Sequence, residues 1–321
     1  MVKRSVSGLF YCHNNCMTTP SLPSSGLPRL EERRTFGYFE HARLHVDGST
    51  LTVITEDGRS PVPVTMFSCV FLGSGCSLTT EAATLLSDSG VPVAWVRDGM
   101  VRLLSGSRPL ASTSYAAQEQ ARLWAADATR LSVVRRMYAM RFGKSFVRDT
   151  TSTVAGLQAQ EGARVKERYR ELASTYGVPW SRRDNREMRS DDPVNAALSI
   201  AHGMYHGLAS CVIFGLGYIP QLGFIHVKSP ISFALDIADI YKSAYADEAV
   251  FKMFSEVPEL ITSPDAVELG REVRRRIRMQ IVDDRLMQRL IDTTTRVLDL
   301  DPYSEWNLSD EGRDSWWNPN A

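Results

Sequence analysis

The sequence predicts an α+β protein in which a small N-terminal β-domain is followed by a larger, all-α C-terminal domain. Between about Arg34 and Ser105 apolar residues alternate or gather in short β-rich runs, and from residue 115 to about 300 they recur at helical spacing. The stretch between, SGSRPLASTS from Ser105 to Ser114, is rich in Gly, Ser and Pro and reads as a linker. At 321 residues the chain is long enough for two domains that each bury a core.

Residues 1–28 cluster Ser, Pro, Gly, Asn and Thr without apolar periodicity, which predicts a flexible N-terminal arm. Met17 reads as an internal start of translation, which would leave residues 1–16 untranslated; N-terminal mass analysis of protein from the native locus checks it. The β-domain is placed at 29–105, with strands in YFEHARLHV, TLTVITE, VTMFSCVFLG, VPVAWV and MVRLL. Asp47-Gly48, Asp57-Gly58 and Asp98-Gly99 are hairpin-turn dipeptides. One helix interrupts the strands from Thr80 to Ser87, capped by Thr79 or Thr80 and carrying the apolar stripe Ala82, Leu85 and Leu86. After a linker at 106–114, helices are expected near 115–127, 129–142, 152–176, 194–214, 233–246 and 265–298, the last broken near Asp283 and Asp284; together they make a 115–300 domain. Residues 301–321 carry Asp301, Glu305, Asp310, Glu311 and Asp314 against Arg313 alone and predict an acidic, disordered tail.

Hydrophobic residues at 43 % and charged residues at 23 % exclude disordered and collagenous classes. Thirty-seven Lys plus Arg balance thirty-seven Asp plus Glu, so any nucleic-acid surface must be a local basic patch. Cysteines 12, 16, 69, 76 and 211 form no paired CxxC sets, which argues against a disulfide framework or a zinc module and for a cytoplasmic protein. Apolar stretches such as Leu208 to Leu216 are interrupted by Ser or Gly, so no membrane-crossing segment is expected.

Four residues stand out chemically. Glu161 lies four residues from both Leu157 and Val165, on the apolar face of its helix, where an unpaired carboxylate is costly to bury. Asp236 and Asp239 are helix neighbours whose like charges repel unless a cation lies between them. His226 follows Gly223 in an extended-looking run that can lay its ring beside those aspartates. A Glu, a His and two Asp form a hard, mostly oxygen site suited to Mg²⁺ or Mn²⁺. The competing reading is that the aspartates pair with Lys242 and arginines and that His226 is a satisfied core residue. Arg271, Arg274 and Arg278 form one helix stripe with Arg275 beside it, and Arg135, Arg136, Arg141 and Lys144 a second basic group; each can face phosphates or be a solvated face paired to Glu268 and Glu272.

The segments ARVKERYRELASTYGVPW, DDPVNAALSIAHGMYHG and GYIPQLGFIHVKSPISFALDIADIYK, in this order after a β-rich region, closely resemble the CRISPR-associated integrase subunit, the "Cas-one" protein, of type I-E systems, from about Leu30 to Leu298. That resemblance implies a catalytic C-terminal domain and a metal-dependent DNA endonuclease and integrase that inserts protospacers into a CRISPR array. It implies catalytic roles for Glu161, His226, Asp236 and Asp239, with Glu161, His226 and Asp239 holding Mg²⁺ or Mn²⁺ and Asp236 a ligand or its support. It further implies DNA contacts by Arg102, Lys242, Arg271 and Arg274, a homodimer formed through the β-domain, and a small ferredoxin-like "Cas-two" dimer as partner. Two departures are visible: Val227-Lys228-Ser229 stands where the family often has Gly-Lys after the His, and an arginine that some members carry is not evident near Cys76. A general nuclease on branched DNA and a catalytically silent DNA-binding scaffold are the alternatives.

Overall fold

The structure is a computed structural model that describes residues 33, 35–97, 100–105, 114–148, 153–183, 192–262 and 265–300. The expected arm at 1–28, all of the linker expected at 106–114 except Ser114, and the tail at 301–321 lie outside the described residues.

Among the described residues the N-terminal region contains eight strands: β1 (Thr35–Phe39), β2 (Arg43–Asp47), β3 (Thr50–Thr55), β4 (Gly58–Val62), β5 (Phe67–Leu72), β6 (Ser77–Leu78), β7 (Val93–Arg97) and β8 (Met100–Ser105). Two of the expected hairpins form where the Asp-Gly dipeptides predicted them, β2–β3 closing at Asp47↔Thr50 and β3–β4 at Thr55↔Gly58. The third, β7–β8, closes at Arg97↔Met100, with Asp98 and Gly99 outside the described residues. Strands β4-β3-β2-β6 make one sheet and β1-β5-β7-β8 the other.

Parallel pairing was not legible in the sequence. β1 runs parallel to β5 across the inserted hairpins, and β5 runs parallel to β7 across helix α1 (Thr80–Asp88), which serves as the crossover. Thr79 caps α1 by accepting a hydrogen bond from the Ala82 backbone N–H, and Ala82 and Leu86 are buried. All six residues of β5 are buried because both faces of its sheet are covered: Val70 and Leu72 join Leu44, Leu51, Val53 and Leu86, while Cys69 and Phe71 join the core of the helices.

Helices α2 (Tyr115–Ala125), α3 (Asp127–Phe142), α4 (Val154–Tyr176), α5 (Pro193–Gly215), α6 (Ser232–Lys242), α7 (Ala246–Glu256), α8 (Glu259–Thr262), α9 (Ala266–Asp283) and α10 (Leu286–Leu298) complete the fold. The expected helix at 233–246 is two elements, α6 ending at Lys242 and α7 starting at Ala246, and α8 was not anticipated. The break expected near Asp283 and Asp284 falls there, with Arg285 in the left-handed region at φ 49°.

Central to the core is α5, begun by Asp192, whose side chain accepts from the Val194 N–H, followed by Pro193 in the first turn. Among the described residues α5 alone is long and apolar enough to cross a membrane by length and composition, which the interrupted apolar stretches had concealed. Inside this fold 72 % of that stretch is buried, against the other helices and the sheet. Gly207 lets α5 lie directly on β8, since a Cβ there would collide with Val101.

Candidate functional site

His226 sits on a connection between α5 and α6 that has no regular structure of its own, so side chains from four helices supply its hydrogen bonds. From α2, Gln120 donates to the Ile219 and Leu222 carbonyls at 3.0 and 2.9 Å and accepts from the Ile219 N–H at 2.7 Å; Trp124 Nε1 donates to the Gly223 carbonyl at 2.9 Å. Arg130 of α3 donates from Nε and a terminal nitrogen to the Phe224 carbonyl at 3.0 and 2.9 Å, and Gln158 of α4 donates to the Ile225 carbonyl at 3.1 Å. Gly223 is obligatory, because a Cβ would collide with the His226 carbonyl and the Ser232 backbone.

The fourth support is Asp236 of α6, which is 1 % exposed. One carboxylate oxygen accepts the Phe224 and Ile225 N–H groups at 2.6 and 3.0 Å, and the other accepts the His226 N–H at 2.9 Å with the His226 ring Nδ1 2.7 Å away. A carboxylate only accepts, so Nδ1 carries the proton and Nε2 is left for another partner. Burial pushes the Asp236 carboxyl upward in pKa against the pull of these bonds. For His226 burial acts downward, yet Asp236 and Asp239 outweigh it and raise the pKa. With both oxygens used, Asp236 positions His226 and is not placed as a direct ion ligand.

Glu161, on α4, accepts from the Tyr138 hydroxyl at 2.6 Å and pairs with Arg141, both from α3. One terminal nitrogen of Arg141 contacts Glu161 and also lies 3.6 Å from Asp239, while the other donates to Ser243 Oγ at 3.1 Å. Lys242 pairs with the second oxygen of Asp239, one helical turn earlier. Burial alone would raise the Asp239 pKa, but Lys242, Arg141 and His226 hold it well below the usual carboxylate range.

The repulsion expected between unpaired carboxylates is therefore answered by two cations of the chain itself. Among the described residues no three His, Cys, Asp or Glu side chains converge closely enough to hold an ion as they stand. The donor set nevertheless suits a divalent ion: the Glu161 and Asp239 carboxylates converge on a single positively charged nitrogen, with the Lys242 ammonium beside them.

The expected DNA-contact residues divide. Lys242 is engaged with Asp239. Arg271 is exposed on α9, and Arg274 lines an apolar pocket with Phe36, Tyr38 and Phe71. No salt bridge to either forms among the described residues, whereas Glu272 is taken by Arg275 and Arg276. Arg102 falls in β8, but its side chain lies outside the described residues. Sequence reasoning missed Tyr138 and Arg141 as parts of the site; their i, i+3 spacing was the available signal. Nothing local marked Gln120, Trp124, Arg130 and Gln158.

The family model described as "CRISPR associated protein Cas1" matches residues 38–147 and 144–279. A CRISPR-associated endonuclease Cas1 of Clostridium sp. strain SY8519 is 34 % identical over 292 residues, covering 88 % of this chain and 94 % of the relative. A second relative, CRISPR-associated endonuclease Cas1 2 of Thermus thermophilus, is 38 % identical over 271 residues, covering 83 % of this chain and 79 % of the relative. A crystal structure described as a TtCas1–DNA complex superposes with a TM-score of 0.63 at 32 % identity, covering 82 % of this chain and 95 % of the other.

Proposed function

The chain belongs to the CRISPR-associated Cas1 family, and from that premise we propose that it is an endonuclease and integrase that inserts protospacer DNA into a CRISPR array in the cytoplasm. The observation that carries this reading is the meeting of Glu161 and Asp239 on one nitrogen of Arg141, with Asp236, on the same helix as Asp239, holding the His226 ring by Nδ1 and leaving its Nε2 for another partner. The 3′-hydroxyl of the incoming DNA gives up its proton to water and attacks a repeat phosphodiester; a new P–O bond forms to that oxygen, the old P–O bond breaks, and the displaced repeat oxygen takes up a proton from water. No covalent bond to the protein is needed.

Glu161, His226 through Nε2, and Asp239 would hold Mg²⁺ or Mn²⁺. Such an ion, when bound, stabilises charge on the phosphate and lowers the pKa of the attacking hydroxyl. Asp236 fixes the ring orientation of His226, and the clamp from α2, α3 and α4 fixes the backbone beneath it. Arg271 and Arg274 supply phosphate contacts, as Arg102 and Lys242 would once DNA is present. Strands β1 and β8, and β4 and β6, end their sheets among the described residues, and such edges favour a homodimer formed through the β-region. A small ferredoxin-like Cas2 dimer is the further partner of this reading.

Strand transfer of a short duplex into a supercoiled repeat plasmid tests it. His226→Ala should abolish the reaction while leaving the fold and partner binding unchanged, because it removes one ligand at a partly exposed position. Undiminished integration by this variant would remove His226 from the catalytic site, whereas no integration by the unaltered protein would favour the silent-scaffold reading, which the pairing of Asp239 with Lys242 and Arg141 also fits.

A further inference from the structure

We infer that Arg141 is an internal counter-cation that holds the place of the divalent ion, so that its withdrawal is a condition of ion binding and this residue sets the metal affinity of the site. The inference rests on the proposed metal site and deepens it. One guanidinium nitrogen contacts Glu161 from α4 and lies 3.6 Å from Asp239 from α6, spanning two ligands that come from helices far apart in sequence. The side chain is only 5 % exposed, so its charge is compensated by protein groups and not by water.

Its anchorage is incomplete. Arg141 Nε is buried without a hydrogen-bond partner among the described residues, and the second terminal nitrogen reaches only the Ser243 hydroxyl. A buried guanidinium with an unused donor is not held as firmly as a fully satisfied one. The Phe142 ring, 4.7 Å from the guanidinium carbon, offers a face on which the cation can remain once the carboxylates are taken. Glu161 would keep the Tyr138 hydroxyl and Asp239 would keep Lys242, so neither ligand depends on Arg141 for its position.

An ion seated between the Glu161 and Asp239 carboxylates would occupy the place of that Arg141 nitrogen. Ion binding therefore breaks the Arg141 pairs and places a guanidinium beside a doubly charged ion, and both effects oppose loading. Removing the charge removes both.

Calorimetric titration of the full chain with MnCl₂, without DNA, provides the test. Arg141→Gln should bind Mn²⁺ at least about tenfold more tightly than the unaltered protein, and Arg141→Lys should fall between. Without metal Arg141→Gln should melt lower, and saturating Mn²⁺ should raise its melting temperature by more than that of the unaltered protein. If Arg141→Gln is poorly folded without metal, the Arg141→Lys titration decides alone. Equal or weaker Mn²⁺ binding by the variants overturns the role of Arg141. If Asp239→Asn titrates like the unaltered protein, the metal site is not where we place it and the inference falls with that reading.

Discussion

Replacing Gln120 by Leu should loosen the connection that carries His226 without disturbing the helices. Gln120 is fully buried and makes three hydrogen bonds to backbone groups ninety-nine and one hundred and two positions away. A leucine of similar volume forfeits all three. At about 1 kcal/mol for each bond the loss is about 3 kcal/mol, and more if the Ile219 N–H and the two carbonyls find no water. Amide hydrogen exchange reads this directly: the Ile219 amide should exchange at least about a hundredfold faster, since each 1.4 kcal/mol is tenfold, while amides of α5 change far less. Mn²⁺ binding should weaken in the same variant, because the backbone from Gly223 to His226 loses its anchor. Gln120→Glu keeps an acceptor for the Ile219 N–H but turns an oxygen toward the two carbonyls, so it should protect that amide in part. Unchanged exchange at Ile219 together with unchanged Mn²⁺ affinity would falsify the claim that α2 positions the site.

Asp239→Asn should lower stability in chelator by about 3 kcal/mol, measured by urea unfolding, because it leaves Arg141 and the partly exposed Lys242 without their shared anion; an increase would restore the picture of unpaired, repelling carboxylates. The double variant Arg271→Ala, Arg274→Ala should weaken DNA binding and flatten its dependence on log salt by about 0.9 for each phosphate that is no longer neutralised, and an unaltered slope would make the α9 stripe a merely solvated face. His206 has its pKa lowered to about 3, burial being the largest cause, with Lys242 acting the same way. The folded state thus binds this proton less readily than the unfolded chain, so the stability His206 contributes is present above about 6.5 and is lost as pH falls toward about 3, at up to about 1.4 kcal/mol per pH unit. His206→Gln should shallow that acid slope in unfolding experiments run from pH 7 to 4, and an identical slope would place the titration elsewhere.

Much of the fold was written locally. Alternation located most of the strands, though YFEHARLHV splits into β1 and β2 and neither β4 nor β6 lay in an apolar run; Asp-Gly dipeptides located two of the described turns, Thr79 announced α1, and spacing singled out His226 and Asp236, which hydrogen-bond, and Glu161 and Asp239, which meet through Arg141. These signals persist in sequence because turn backbone, helix caps and i, i+3 neighbours are decided within a few residues. Tertiary structure alone decided that β1, β5 and β7 pair in parallel, since such pairs are joined by long crossovers and leave no short-range mark. It also decided the division of labour among the acids. Asp236 and Asp239 look equivalent in the chain, yet the connection folds its N–H groups onto Asp236, while α3 brings Arg141 to Asp239 and Glu161. Which charge meets which partner depends on how α3, α4 and α6 pack, and packing is a property of side-chain shape summed over the whole core.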